Sequence, residues 1–181
     1  MDRMIAMCHD EVVKHLNKRE IAIDMTVGRG NDTKLLCSKA KRVYGFDINS
    51  AAIVSTEFML EANGYRNFVF YCDDHKDFDK YVFENPAVIM YQLGTFDNMK
   101  TINMTMAEST IESLEKALKI IKVGGVITIL SSCQTDFAIE QSNKVLLYTK
   151  TINPKVYDVM FHSLINFKSA KPYLLIIKRK R

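Results

Sequence analysis

Ile21-Ala22-Ile23-Asp24-Met25-Thr26-Val27-Gly28-Arg29-Gly30-Asn31-Asp32-Thr33 is the stretch on which the reading of this chain turns. The short apolar run from Ile21 to Met25 predicts a buried strand. Gly28-Arg29-Gly30 predicts a turn, and Asn31-Asp32-Thr33 supplies N-cap-type residues that open a helix. Strand, glycine turn and helix start make a ligand cradle. Glycines let the backbone come close to a ligand. The first N–H groups of a helix have no partner inside it and point at whatever sits there. In an open α/β sheet this crevice lies at the carboxyl ends of the strands, where ligands bind.

The residues narrow the ligand. A dinucleotide loop reads Gly-x-Gly-x-x-Gly, but the third glycine position here is Thr33. Asp24 puts a carboxylate just before the turn, which disfavours a pyrophosphate and suits a ligand with a cationic amine or sulfonium. S-adenosylmethionine (SAM) has both. Arg42-Val43-Tyr44-Gly45-Phe46-Asp47 predicts a second strand. Its terminal carboxylate, about 20 residues past the loop, can hold ribose hydroxyls. Asp47 would serve a dehydrogenase equally, so it points to a nucleoside and not to SAM in particular. Thr33 and Asp24 disfavour the NAD alternative. The plain alternative is that Gly28 and Gly30 only make a tight turn.

The chain has 181 residues, enough for one domain with a core, and 1–181 is read as a single domain. Its hydrophobic content is 48%, ordinary for a globular protein. No apolar run approaches the ~18 residues of a membrane span. Met1-Asp2-Arg3 has no signal-peptide pattern, so a cytoplasmic location is expected. Cys8, Cys37, Cys72 and Cys133 form no Cys-x-x-Cys pair, so neither metal nor disulfide is assigned. Cys37 and Cys72 stand in apolar contexts and read as small core residues. The net charge of +4, from 25 basic and 21 acidic residues, is only mildly basic. Lys168 and Lys171, with the terminal Lys178-Arg179-Lys180-Arg181, form a cluster that can meet phosphates or be a solvated, frayed end.

Taken in order, residues 4–18 predict an amphipathic helix in which His9 reads as structural. Helices are predicted from about Asp32 to Ala40 and from Asn49 or Ser50 to Ala62. The second of these carries Ala51, Val54 and Phe58 on one face, and Gly64 stops it. Asn67 to Cys72 predicts a third strand ending in Asp73-Asp74-His75. Those residues either face the crevice, within reach of an adenine amine, or cap a helix starting near Lys76. Pro86 to Tyr91 predicts a fourth strand, continued by Gln92-Leu93-Gly94, which makes Gln92 a candidate substrate contact or simply a polar strand end. Residues 95–104 predict a loop over the site, of the kind that carries specificity. A long helix over 106–121 follows from the spacing of Ile111, Leu114, Leu118 and Ile121. A strand is expected over Val126 to Leu130 and a helix over Phe137 to Thr149. Val156 to Ile165 and Tyr173 to Lys178 then predict a close, antiparallel pair, whose edge could mediate a homodimer. Alternating β and α with a terminal hairpin is the layout of a class I methyltransferase: Rossmann-like α/β, a mostly parallel seven-stranded sheet with helices on both faces.

These motifs resemble one family nearly end to end, the small bacterial proteins called putative rRNA methylases. Some members are tRNA methyltransferases that act on the amine of 5-aminomethyl-2-thiouridine at the wobble position. The family loop, roughly Asp-Ala-Thr-x-Gly-Asn-Gly-x-Asp-Thr, stands here as Asp24 to Thr33, and its Tyr-Gly-Phe-Asp-Ile-Gln as Tyr44-Gly45-Phe46-Asp47-Ile48-Asn49. Its Ser-His is matched by Asp74-His75, its Asn-Leu-Gly by Gln92-Leu93-Gly94, and its terminal hairpin by Ile165-Asn166 and Pro172-Tyr173-Leu174-Leu175. Arg29 replaces a loop asparagine that the resemblance sets against SAM. Thr95-Phe96-Asp97-Asn98 replaces Tyr-Leu-Pro-Gly-Gly, and Ser131-Ser132-Cys133-Gln134 lacks the usual Gly-His. The resemblance implies SAM as cofactor and RNA, most directly tRNA, as partner. The expected cofactor residues are Asp24, Thr26, Gly28, Arg29, Gly30, Asp32 and Thr33 on the methionine side, Asp47 and Asn49 at the ribose, and Asp74 and His75 near the adenine. Gln92 and the 95–104 loop are expected to face the acceptor. The altered substrate side leaves three functions open: this tRNA reaction, methylation of another RNA or a small molecule, and SAM binding without catalysis.

Overall fold

The computed structural model describes residues 2–94, 106–131, 135–166 and 172–181. Helix α1 (Asp2–Lys14) leads into β1 (Ile21–Asp24), then α2 (Asn31–Lys39), β2 (Arg42–Phe46), α3 (Ser50–Ala62) and β3 (Phe68–Tyr71). A 3-10 helix, His75–Lys80, precedes β4 (Val88–Leu93). The order closes with α4 (Ala107–Ile120), β5 (Val126–Ser131), α5 (Asp136–Thr149), β6 (Tyr157–Ser163) and β7 (Tyr173–Arg179).

The strands form one sheet in the order β3-β2-β1-β4-β5-β7-β6. Strands β1 to β5 pair in parallel, and β7 lies antiparallel between β5 and β6. The terminal antiparallel pair expected from the sequence is present. From β1 the chain winds outward to β3, then returns to place β4 against the other side of β1. That reversal is the topological switch point, where a crevice opens at the carboxyl ends of the strands.

Central strands covered on both faces read as continuous apolar runs, which is why β1, β5 and β7 were legible. Successive residues go to opposite faces. Ile23, Ile89, Ile127 and Ile177 meet α4 and α5, where Leu114 and Val145 are also fully buried. Ala22, Val88, Val126 and Ile176 meet α1, α2 and α3 through Val12, Leu36 and Leu60. Burying each such large side chain contributes about 1.5–3 kcal/mol.

Several expectations shift. Helix α1 ends at Lys14, and single-turn bonds from His15 and Leu16 back to Val12 and Val13 tighten the exit. The element after Asp74 is a 3-10 helix. Cys37 is buried, but Cys72 is exposed because it stands just past the end of β3. Ala51, Val54 and Phe58 share a face of α3, but it is the solvent face, while Ala52, Ile53, Thr56 and Leu60 are buried. Residues 95–105, Ser132-Cys133-Gln134, Lys168 and Lys171 lie outside the described residues.

Candidate active site

The site begins at the end of β1. Pairing with β4 runs on past Asp24, since the Met25 N–H donates to the Met90 carbonyl at 2.9 Å, and Val27 N–H donates to Phe46 O on β2 at 3.1 Å. The turn is therefore tied to both neighbours. Gly28 and Gly30 both take positive φ, +49° and +76°. A Cβ on Gly30 would stand 2.4 Å from Thr56 Cγ2, so α3 packs against this glycine. The Thr56 hydroxyl donates to Gly28 O at 3.0 Å. Both glycines are thus needed by the fold of the turn.

Asp24 lies beneath that turn, 1% exposed. One carboxylate oxygen accepts the Thr26 N–H at 3.1 Å, and the other accepts the Thr33 hydroxyl at 2.6 Å. Burial pushes the Asp24 carboxyl up to about 7, the charge of Asp32 adds to this, and the two hydrogen bonds oppose it. Asp24 and the fully buried Thr33 are directed into the loop and shape it from within.

Asp47, half-buried at the end of β2, bridges two segments. Its carboxylate accepts the Gly28 N–H at 2.8 Å and the Asn49 N–H at 2.8 Å. Asn49 in turn caps α3, accepting from Ala51 N–H and Ala52 N–H. Asp47 is therefore brought to the turn, and Asn49 stands next to it at the start of α3. Ile48 between them is 54% exposed, and the exposed Cys72 sits against its carbonyl at 3.8 Å. This apolar rim beside Asp47 was missed in the sequence; its signal is an apolar residue directly after a strand-end acid.

The Asp74-His75 pair divides. Asp74 caps the 3-10 helix and accepts from Lys76 N–H and from the Ser109 hydroxyl on α4. Against the upward push of burial, these bonds hold its carboxyl below the usual range. His75 is only 8% exposed and meets Tyr91 edge-on at 5.7 Å, while Tyr91 OH bonds Ser113 at 2.8 Å. Burial pulls its imidazole down to about 4, so it is neutral. His75 thus stands at the start of the 3-10 helix, largely buried against Tyr91.

On β4, Gln92 is exposed and its backbone N–H donates to the Thr26 hydroxyl at 2.8 Å. Thr26 thus locks the loop to β4. Arg29 is exposed on the turn. Gly30, the N-cap of α2, offers no side-chain cap, and Asp32 in the first turn pairs with His9 of α1 at 2.6 Å. Among the described residues, the N–H groups of Asn31, Asp32 and Thr33 have no acceptor.

The basic tail is far from this crevice. Lys178 stands opposite Val126, the first residue of β5, at the other end of the sheet. It pairs with Glu11 at 2.5 Å, Lys180 pairs with Asp158 at 2.8 Å, and Arg179 donates to the Ile121 carbonyl at 2.5 Å. The Arg181 guanidinium donates to Lys155 O at 2.9 Å. Residues 178–181 are therefore held in ion pairs and hydrogen bonds at the end of the sheet opposite the crevice. Among the described residues, no helix is long and apolar enough to cross a membrane.

Comparison with known proteins agrees with this geometry. The model of the family described as "Putative rRNA methylase" matches residues 43–178. A Streptococcus mutans protein titled a putative methyltransferase, crystallised with S-adenosylhomocysteine (SAH), is 29% identical over 99% of both chains, with a TM-score of 0.91. A Clostridium thermocellum structure titled a putative rRNA-methylase is 29% identical over 97% of both chains, with a TM-score of 0.93. A Streptococcus thermophilus rRNA methylase is 27% identical over 98% of this chain and 97% of its own, at 0.84. With a family match across most of the chain and the fold of these structures along nearly its whole length, this chain belongs to the putative rRNA methylase family of class I SAM-dependent methyltransferases.

Proposed function

We propose that the protein binds SAM in the β1–α2 crevice and methylates an amine of RNA, specifically an aminomethyl-type modified uridine at the wobble position of tRNA. The observation that carries the cofactor half is the polar pattern of the crevice: three unfilled N–H groups opening α2, next to Asp47 at the end of β2. The residues fit the cofactor part by part. The N–H groups of Asn31, Asp32 and Thr33 suit its carboxylate. Asp47, with Asn49 bonded to it and capping α3 beside it, suits the ribose hydroxyls, and Ile48 and Cys72 offer an apolar wall to the base. Asp74 lies on the same side, and Arg29 stands at the outer edge of the turn.

Bound SAM would supply a methyl group already activated on sulfonium. The protein then has only to position the acceptor in line and exclude water. A neutral amine acceptor needs no strong base. The exposed Gln92, with its backbone pinned by Thr26, would orient the amine through its side-chain amide. An RNA base must leave its stack to reach such a crevice.

The test is incorporation of labelled methyl from SAM into tRNA, with ribosomal RNA alongside. Label in a wobble-position nucleoside, with Gln92→Ala lowering kcat about 10–100-fold at similar SAM affinity, is the expected result. Label in rRNA alone would overturn the tRNA assignment. Saturable SAM binding without transfer to any RNA would favour a non-catalytic binding protein, the reading that the Arg29 and Gln92 departures support.

A further inference from the structure

His9 on α1 and Asp32 on α2 are 23 residues apart in sequence, yet His9 Nε2 donates to Asp32 Oδ1 at 2.6 Å. Neither side chain is free in solvent: they are 28% and 12% exposed. His9 is placed by the helix beneath it, since Met4, Cys8 and Val12 are buried in the core shared with α2. The Asp32 hydrogen bond is the largest influence holding the His9 imidazole above its usual range, against the opposing effect of burial.

Asp32 occupies the second position of a helix whose N-cap, Gly30, has no side chain to offer. An acidic side chain there is drawn by the helix dipole and by the unfilled N–H groups, and would ordinarily turn back to accept from them. It does not do so; its described partner is His9. The first-turn N–H groups stay open as a result.

We propose that His9 is a positioning residue of the cofactor site: by holding the Asp32 carboxylate on α1, it prevents α2 from capping itself and keeps its leading N–H groups free for the ligand's carboxylate. This rests on the SAM reading above. His9 touches neither ligand nor substrate in this account; it acts through Asp32.

A self-cap competes with the ligand, so the signature is rescue. Calorimetry with SAH on wild type, His9→Ala, Asp32→Ala and the double variant is the first arm. His9→Ala should bind roughly tenfold more weakly, the size of one N-cap interaction. Adding Asp32→Ala should restore the lost affinity, and His9→Gln, which keeps a donor, should stay near wild type. A purely structural role for His9 gives no rescue. The second arm needs no ligand: amide chemical shifts of Asn31 and Thr33 in the unliganded protein. His9→Ala should move them toward hydrogen-bonded values, and the double variant should not. No SAH binding by wild type would remove the SAM reading, while the amide shifts would still decide whether His9 restrains Asp32. Additive losses in the double variant, or unmoved amides in His9→Ala, would overturn the proposal.

Discussion

At the residue scale, Asp24 concentrates the electrostatics of the loop. It is a carboxyl closed off from water, with two donors on its oxygens and the charge of Asp32 nearby. Its pKa rises from an ordinary 3.8 to about 7. In the window between those values the folded protein keeps a proton that the unfolded chain has lost. Stability from this group is therefore complete below about pH 4 and falls as pH rises through 7. Asp24→Asn keeps an acceptor for the Thr26 N–H and carries no charge. Urea midpoints at pH 4.5, 6 and 8 should fall with pH in wild type more steeply than in the variant. At pH 8 the variant should be the more stable by on the order of 1–3 kcal/mol. Parallel profiles for the two proteins would show that Asp24 is not the titrating group. A cationic ligand beside the loop would draw that proton off, so the same residue couples the cradle to pH.

At the element scale, the C-terminal strand shows why a charge cluster in sequence is not a charge cluster in space. Side chains alternate along β7, so Lys178 turns to Glu11 on α1 and Arg179 to the end of α4. Arg179 Nη1 also lies within bonding distance of the Lys119 carbonyl, at 3.3 Å, and its own backbone bonds Gly124 and Gly125. It caps the carbonyls that α4 leaves unfilled. Arg179→Ala should lower stability by about 1–2 kcal/mol, read as a denaturation midpoint, and leave RNA affinity unchanged. A loss of RNA affinity at constant stability would return the tail to the binding surface. The elements themselves were legible because buried parallel strands and the α4 stripe have clear periods. The orientation of α3 was not: apolar residues stand on both of its sides, so periodicity could not choose between Phe58 and Leu60. His75 reads as a polar strand end until the 3-10 turn is seen to rotate it onto Tyr91. The glycine turn, Asp47 and Asn49 carry local signals and were readable. The His9–Asp32 bond joins two helices and leaves no trace in spacing.

At the scale of the whole molecule, two cores share one sheet. Neighbouring residues in the same strand serve opposite sides: Ala22 and Ile23, Val88 and Ile89, Val126 and Ile127, Leu174 and Leu175. The α1–α3 core cannot come apart without exposing the strands that also floor the α4–α5 core. The reverse holds equally. We therefore propose that residues 1–181 form one domain that unfolds in a single cooperative step. The chain has no tryptophan but eight tyrosines. Tyr91 and Tyr173 lie in the α4–α5 core, and Tyr65 packs against the other. Near-ultraviolet circular dichroism of the tyrosines and far-ultraviolet dichroism of the backbone should give superimposable urea curves. Leu114→Ala on one side of the sheet and Leu36→Ala on the other, both at fully buried positions, should each shift the whole curve by about 2–5 kcal/mol. If Leu114→Ala moved only one of two resolved transitions, the halves would be separable, and the crevice at their shared sheet could open by local unfolding of a single side.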